Sequence, residues 1–142
     1  MRSYEANSPL VVPMENELKV LWINVDLLRK STHTGFYINL DLPDHPEGAT
    51  IPPTTLITFL ENAIKHGVHS DPKKPINMTV KLVSDGYFVR CRNEVARGRI
   101  QVSHGVGLSN LKRRLELVYD NKFNFQYRIN QSVFESELFI AE

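Results

Sequence analysis

From Met14 onward, apolar residues fall at Met14, Leu18, Leu21, Val25 and Leu28, a 4-3-4-3 spacing. That spacing puts all five on one face of a helix and predicts a helix ending near Ser31. Trp22 lies beside this stripe and widens it, so the face suits either the core or a seam against a partner helix. Phe36 to Leu40 reads as a short strand, after which Pro43, Pro46 and Gly48 break the chain. Ile51-Pro52-Pro53 leads into a second helix, where prolines cost little because the first-turn amides have no helical partner. Leu56, Leu60, Ala63, Ile64 and Gly67 share one face of it, and Gly67 suits a left-handed C-terminal cap. Ile76, Met78, Val80 and Leu82 alternate with Asn77, Thr79, Lys81 and Val83, which is the period of a half-buried strand. Asp85-Gly86 predicts a hairpin turn into a second strand from Tyr87 to Arg92. Cys91 shares a face with Tyr87 and Val89 and reads as a small buried apolar residue.

Residues 93–105 carry no periodicity and read as a loop. Leu108, Leu111, Leu115 and Val118 then form a third helical stripe after Gly107. Two closing strands follow, with Phe123, Phe125, Tyr127 and Ile129 on one face and then Phe134, Leu138 and Ile140. The order α-β-α-β-β-α-β-β predicts an α+β two-layer sandwich, a mixed sheet covered on one face by three helices. Residues 1–13 contain Asn7-Ser8-Pro9 and Pro13 and read as a flexible lead-in to a single domain over 14–142.

The 142 residues suit one core, and 42% hydrophobic composition is too high for a disordered segment. The chain has no apolar run long enough to span a bilayer and no signal-peptide pattern, so the residues present read as neither membrane-spanning nor secreted. One cysteine excludes an internal disulfide, and no histidine spacing suggests a zinc site. The net charge of +1 hides an asymmetry: residues 86–128 hold nine basic and three acidic side chains. This stretch is either a solvated basic face or a local anion site.

Two segments carry candidate chemistry. In Glu61-Asn62-Ala63-Ile64-Lys65-His66-Gly67, oxygen donors at Glu61 and Asn62 precede Lys65 and His66 by one helical turn. Oxygen donors of this kind suit magnesium, which takes few protein ligands and keeps its waters. In Gly105-Val106-Gly107-Leu108-Ser109-Asn110, glycines permit close backbone approach just before a helix carrying Lys112, Arg113 and Arg114. The free amides and positive dipole end of that helix favour a phosphate.

Taken in order, these segments resemble a known family. Ile51-Pro52-Pro53 with Phe59-Leu60-Glu61-Asn62-Ala63-Ile64-Lys65-His66-Gly67 resembles the N box of the LytS/YehU-type sensor histidine kinases. Gly105-Val106-Gly107-Leu108-Ser109-Asn110-Leu111, with Arg114-Leu115 and Tyr119, resembles the glycine-rich G box of the same family. The likeness covers roughly residues 14–142 and implies the Bergerat ATP-binding fold, shared with gyrase B and MutL. It implies ATP and Mg2+ as ligands, with Asn62 holding the metal, Lys65 approaching a phosphate and His66 lining the nucleotide side. Glu61 would orient water or the metal's hydration shell. Gly105 and Gly107 would belong to a lid over the phosphates, with the amides of Leu108 and Ser109 facing them and Asn110 and Arg114 securing the lid or the helix start.

The same resemblance implies phosphoryl transfer to a histidine on an upstream dimerisation domain, then to a response regulator, here expected to be of LytTR type. No HFLFN-like string occurs, and His33, His45, His69 and His104 lie outside the motifs or beside the lid. The expectation is therefore a protein histidine kinase domain that binds ATP but does not autophosphorylate alone. It would be the cytoplasmic part of a bacterial inner-membrane sensor, dimeric through the upstream domain, touching the membrane only through a part not in this sequence and binding no nucleic acid.

One departure stands out. Many histidine kinases carry Asp-x-Gly-x-Gly after the hairpin, where Arg92-Asn93-Glu94-Val95-Ala96-Arg97-Gly98 stands here. Asn93 is then the candidate for an amide contact with adenine, while Arg92 faces the adenine amino group poorly because both are donors. A degenerate Bergerat domain serving as a dimerisation or docking module is the alternative reading, and a polyanion binder using the 86–128 stretch is a third.

Overall fold

The computed structural model describes residues 10–95 and 106–141. Val12–Pro13 (β1) pairs antiparallel with Thr50–Ile51 (β3), so these two residues of the expected lead-in are tied to the domain. The helix Met14–Ser31 (α1) follows directly. Pro13 sits at its N-cap with φ −59, Glu15 and Glu17 lie in its first turn, and Arg29 and Lys30 in its last, each favourable to the helix dipole. Ile38–Asp41 (β2) precedes β3, and Thr55–His66 (α2) follows it. Ile76–Val83 (β4) and Gly86–Glu94 (β5) form the hairpin, whose loop is Ser84–Asp85 because Gly86 already pairs with Val83. Val106–Tyr119 (α3), Phe123–Asn130 (β6) and Val133–Ala141 (β7) complete the described elements.

The expected α+β sandwich is the observed one. Five strands form a sheet in the order β2-β4-β5-β7-β6. Only the β2–β4 ladder is parallel; the others are antiparallel, which makes the sheet mixed. Alternation along β4 and β5 buries Ile76, Met78, Val80, Tyr87, Val89 and Cys91 on one face. The three helices cover that face, adding among others Leu21 and Val25 from α1, Phe59 and Ala63 from α2, and Leu111 and Leu115 from α3. α2 lies over β5 and β7 with α1 and α3 on its flanks, and α3 also rests on β6. Burial pushes the Cys91 thiol up to about 12, as expected for an inert core residue.

The opposite sheet face is open and polar, and it resolves the basic stretch. Arg90 donates to Glu137 at 2.9 Å, Arg92 pairs with Glu135 at 3.0 Å, and Arg128 reaches Glu135 at 2.7 Å. Two carboxylates of β7 are thus shared by three arginines from the flanking strands, leaving a net charge of about +1 on the cluster. Exposed pairs of this kind add little stability singly, yet here they share partners and hold one another in place. Arg97 and Arg99 lie outside the described residues.

Several sequence expectations change, the first strand among them, which spans Ile38–Asp41 and not 36–40. Gly67 is extended, with φ −134 and ψ 179, not left-handed. The strand also runs past Arg92 through Glu94, so Asn93 is a strand residue and not a loop residue. Trp22 stands outside the core on the exposed side of α1.

Candidate functional site

The site is built on α2. Its start is gripped from both flanks. Thr54 adopts a left-handed conformation with φ 65, which a β-branched residue reaches only with strain. Its N–H donates to Glu17 Oε2 on α1 at 3.1 Å, and the neighbouring Pro53 O accepts from Arg114 Nη1 on α3 at 2.8 Å. Arg114 thereby ties α3 to the entry of α2.

Two turns along, Asn62 is buried and its Nδ2 donates to Thr58 O at 2.8 Å. That bond fixes the orientation of the carboxamide and leaves Oδ1 as the end able to act as an oxygen ligand. Gly107, in the first turn of α3, faces this pair directly. A Cβ placed on it would stand 3.6 Å from Thr58 Cγ2 and 3.9 Å from Asn62 Nδ2. The two motifs are far apart in sequence, and the fold sets them against each other. Leu108 is buried in the core, so only its backbone is available to a ligand, while Ser109 and Asn110 are exposed on the same first turns. Gly105 lies outside the described residues.

His66, one turn beyond Asn62, is buried with its ring 4.8 Å from that of Phe134 on β7. Lys65 and Glu61 are exposed on α2. The described residues contain no group of three or more His, Cys, Asp or Glu side chains able to hold a metal. A divalent cation here would have Asn62 as its protein ligand and take the rest from phosphates and water, which is how magnesium is commonly held.

Asn93 closes the end of the site. Its Nδ2 donates to Ala63 O at 2.8 Å and to Val68 O at 3.0 Å, bracketing the last turn of α2. Two carbonyl partners fix the amide orientation, and the opposite end, Oδ1, is buried without a hydrogen-bond partner. Ser136 Oγ is also buried and unpartnered, one diagonal away on β7, where Cys91 pairs with Ser136 and Asn93 with Phe134. Arg92 points to the other sheet face, toward Glu135, so it does not crowd this acceptor. Just after α2, Val68 N donates to Glu94 O at 2.7 Å and Gly67 bridges Val95, binding the helix exit to β5.

Three contributors escape a sequence reading. Thr58 could have been found, because it lies one turn before Asn62 on the same face. Glu17 could have been found as a carboxylate set within the apolar stripe of α1. Phe134 gave no signal beyond its strand period.

No protein-family model and no curated protein matches the chain. Solved structures do. The catalytic domain of histidine kinase ThkA, in a nucleotide-free form, aligns with a TM-score of 0.66 at 12% identity, covering 92% of this chain and 95% of that one. The fold is that of histidine kinase catalytic domains. A second nucleotide-free form of ThkA gives 0.62 at 13% identity, over 92% and 94% of the two chains. Acinetobacter baumannii histidine kinase AdeS aligns at 0.58 and 19% identity over 90% of this chain, which spans 62% of the AdeS chain.

Proposed function

We propose that this chain is the ATP-binding catalytic domain of a LytS/YehU-type sensor histidine kinase. The observation that carries the reading is the facing of Asn62 on α2 by Gly107 in the first turn of α3. Gly107 stands across from the Asn62 carboxamide, whose Oδ1 can hold a cation, and the first-turn amides of a helix favour an anion. Magnesium-ATP suits both halves.

The residues divide the work. Asn62 Oδ1 is the protein ligand for the metal. The first-turn amides of α3 and the Lys65 ammonium take up phosphate charge, while Glu61 orients water. Asn93 Oδ1, a buried acceptor with no partner, would match the donor amino group of adenine and oppose the carbonyl of guanine once side chains over it give way to the base. His66, against Phe134, lines the nucleotide side of α2. Bound magnesium-ATP supplies the γ-phosphoryl group, for a histidine on an upstream dimerisation domain and then a LytTR-type response regulator. No helix among the described residues is long and apolar enough to cross a membrane, which is compatible with the cytoplasmic portion of a membrane sensor.

Calorimetric titration with a non-hydrolysable ATP analogue, with magnesium and with EDTA, tests the reading. Magnesium-dependent binding that prefers adenine over guanine and is lost in Asn62→Ala supports it. No binding at millimolar nucleotide by the folded chain rejects it in favour of a docking domain.

A further inference from the structure

α1 carries a second apolar stripe on the side away from the core. Val20, Ile23 and Leu27 recur at helical spacing and are 43%, 66% and 62% exposed. They lie opposite Leu18, Leu21 and Val25, which are buried. Three large aliphatic side chains in one row on a solvent-facing helix are an interaction surface rather than scattered surface residues. Half-exposed Trp22 lies off this row, beside the buried stripe.

The charges beside the stripe indicate what covers it. Glu15, Lys19, Asp26 and Lys30 lie along one flank, and all four are exposed. Their signs alternate, and Glu15 and Lys30 are centred on the same point of the helix as Lys19 and Asp26, between Trp22 and Ile23. A copy of α1 laid antiparallel about that point therefore sets Lys19 opposite Asp26 and Glu15 opposite Lys30, twice over by symmetry. The same rotation brings Ile23 within about one residue's rise of its own copy, and Val20 and Leu27 within about one turn of each other's copies. A parallel two-fold would instead turn this charged flank toward the partner's uncharged one and leave the four charges unpaired across the contact. Asp26 and Lys30 already pair within the helix at 2.9 Å, which is compatible with a four-membered network across the axis. The other flank carries the uncharged Asn24 and Ser31, so nothing there opposes the approach.

We infer that the outward face of α1, through Val20, Ile23 and Leu27 with Glu15, Lys19, Asp26 and Lys30, is an isologous, antiparallel docking surface for a second copy of this chain. A two-fold interface must be self-complementary, and this charge order has that property. The helix is about 27 Å long and offers three apolar anchors, so the contact is smaller than a standard interface and the dimer is weak. The inference stands independently of the nucleotide reading.

Sedimentation velocity on the whole chain from micromolar to millimolar concentration tests it. The expected result is a concentration-dependent doubling of mass that weakens with added salt. Lys19→Glu and Asp26→Lys should each weaken association several-fold, and an equimolar mixture of the two should restore it, because each then meets its opposite. Ile23→Asp should abolish association with the circular dichroism spectrum and thermal midpoint unchanged. A chain that stays monomeric at millimolar concentration overturns the inference. So does association that ignores Ile23→Asp, or a charge-variant mixture that fails to recover.

Discussion

Gly67 leaves the space that Asn93 fills: a Cβ on Gly67 would fall on the Asn93 carboxamide and 2.6 Å from Glu94 O. The glycine is required by this approach and not by its backbone angles, since φ −134 is open to any residue. Gly67→Ala should destabilise the fold by about 2 kcal/mol, the usual cost of overpacking a filled site. In an Asn93→Ala background the same change should cost less, the remainder being the approach to Glu94 O, which that variant leaves in place. Urea unfolding of the four members of this cycle checks it, and additive effects would refute the contact.

Asn93→Asp should be worse than Asn93→Ala. The carboxylate would lose both donors and set its charge against Ala63 O and Val68 O. A loss of roughly 2 kcal/mol or more is expected, from unsatisfied buried carbonyls and an unpaired charge. Chemical denaturation at neutral pH reads this out, and an aspartate variant as stable as the parent would contradict the assigned amide orientation.

Asn62→Ala should leave stability within about 1 kcal/mol of the parent, because the lost Nδ2 bond lies within the helix and alanine is the better helix former. The same variant should lose magnesium-dependent nucleotide binding. Thermal melting and titration on one preparation separate the two effects.

Gly107→Ala should move stability and binding in opposite directions. The new methyl meets Thr58 and Asn62 at ordinary contact distance, and replacing a helical glycine gains about 0.5–1 kcal/mol. It also occupies the space facing Asn62, so nucleotide affinity should fall several-fold. A melting midpoint that rises while affinity is unchanged would show that the ligand lies elsewhere.

Cys91 should resist thiol reagents in the native protein at about pH 8 and react fully in denaturant. Its folded value, about 12, lies above its ordinary 9.0, so the neutral thiol favours the folded state below 9.0. That contribution drains away as pH climbs toward about 12, where the unfolded chain has already released its proton. A Cys91→Ala variant should show a flatter loss of stability over that alkaline range.

The sheet and its helices were legible because residues such as Met78, Val80, Leu111 and Leu115 declare their element by period alone. The site motifs were legible as strings, and only the fold shows that Asn62 and Gly107 face each other. What escaped depends on partners distant in sequence. Gly67 ends a helix and so suggested a left-handed cap, while its actual constraint comes from β5. Arg90, Arg92 and Arg128 read as a basic stretch until β7 places Glu135 and Glu137 between them. Val12–Pro13 and Thr50–Ile51 are too short to have a period at all.

The strand order has a consequence for how the molecule comes into being. β7 is the last described strand, yet it sits inside the sheet, with β5 on one side and β6 on the other. Until residues 133–141 leave the ribosome, β5 has a raw edge and β6 has no neighbour to zip onto. This strand acts as a keystone: removing it would split the sheet from within rather than trim its border, and productive folding must wait for its arrival.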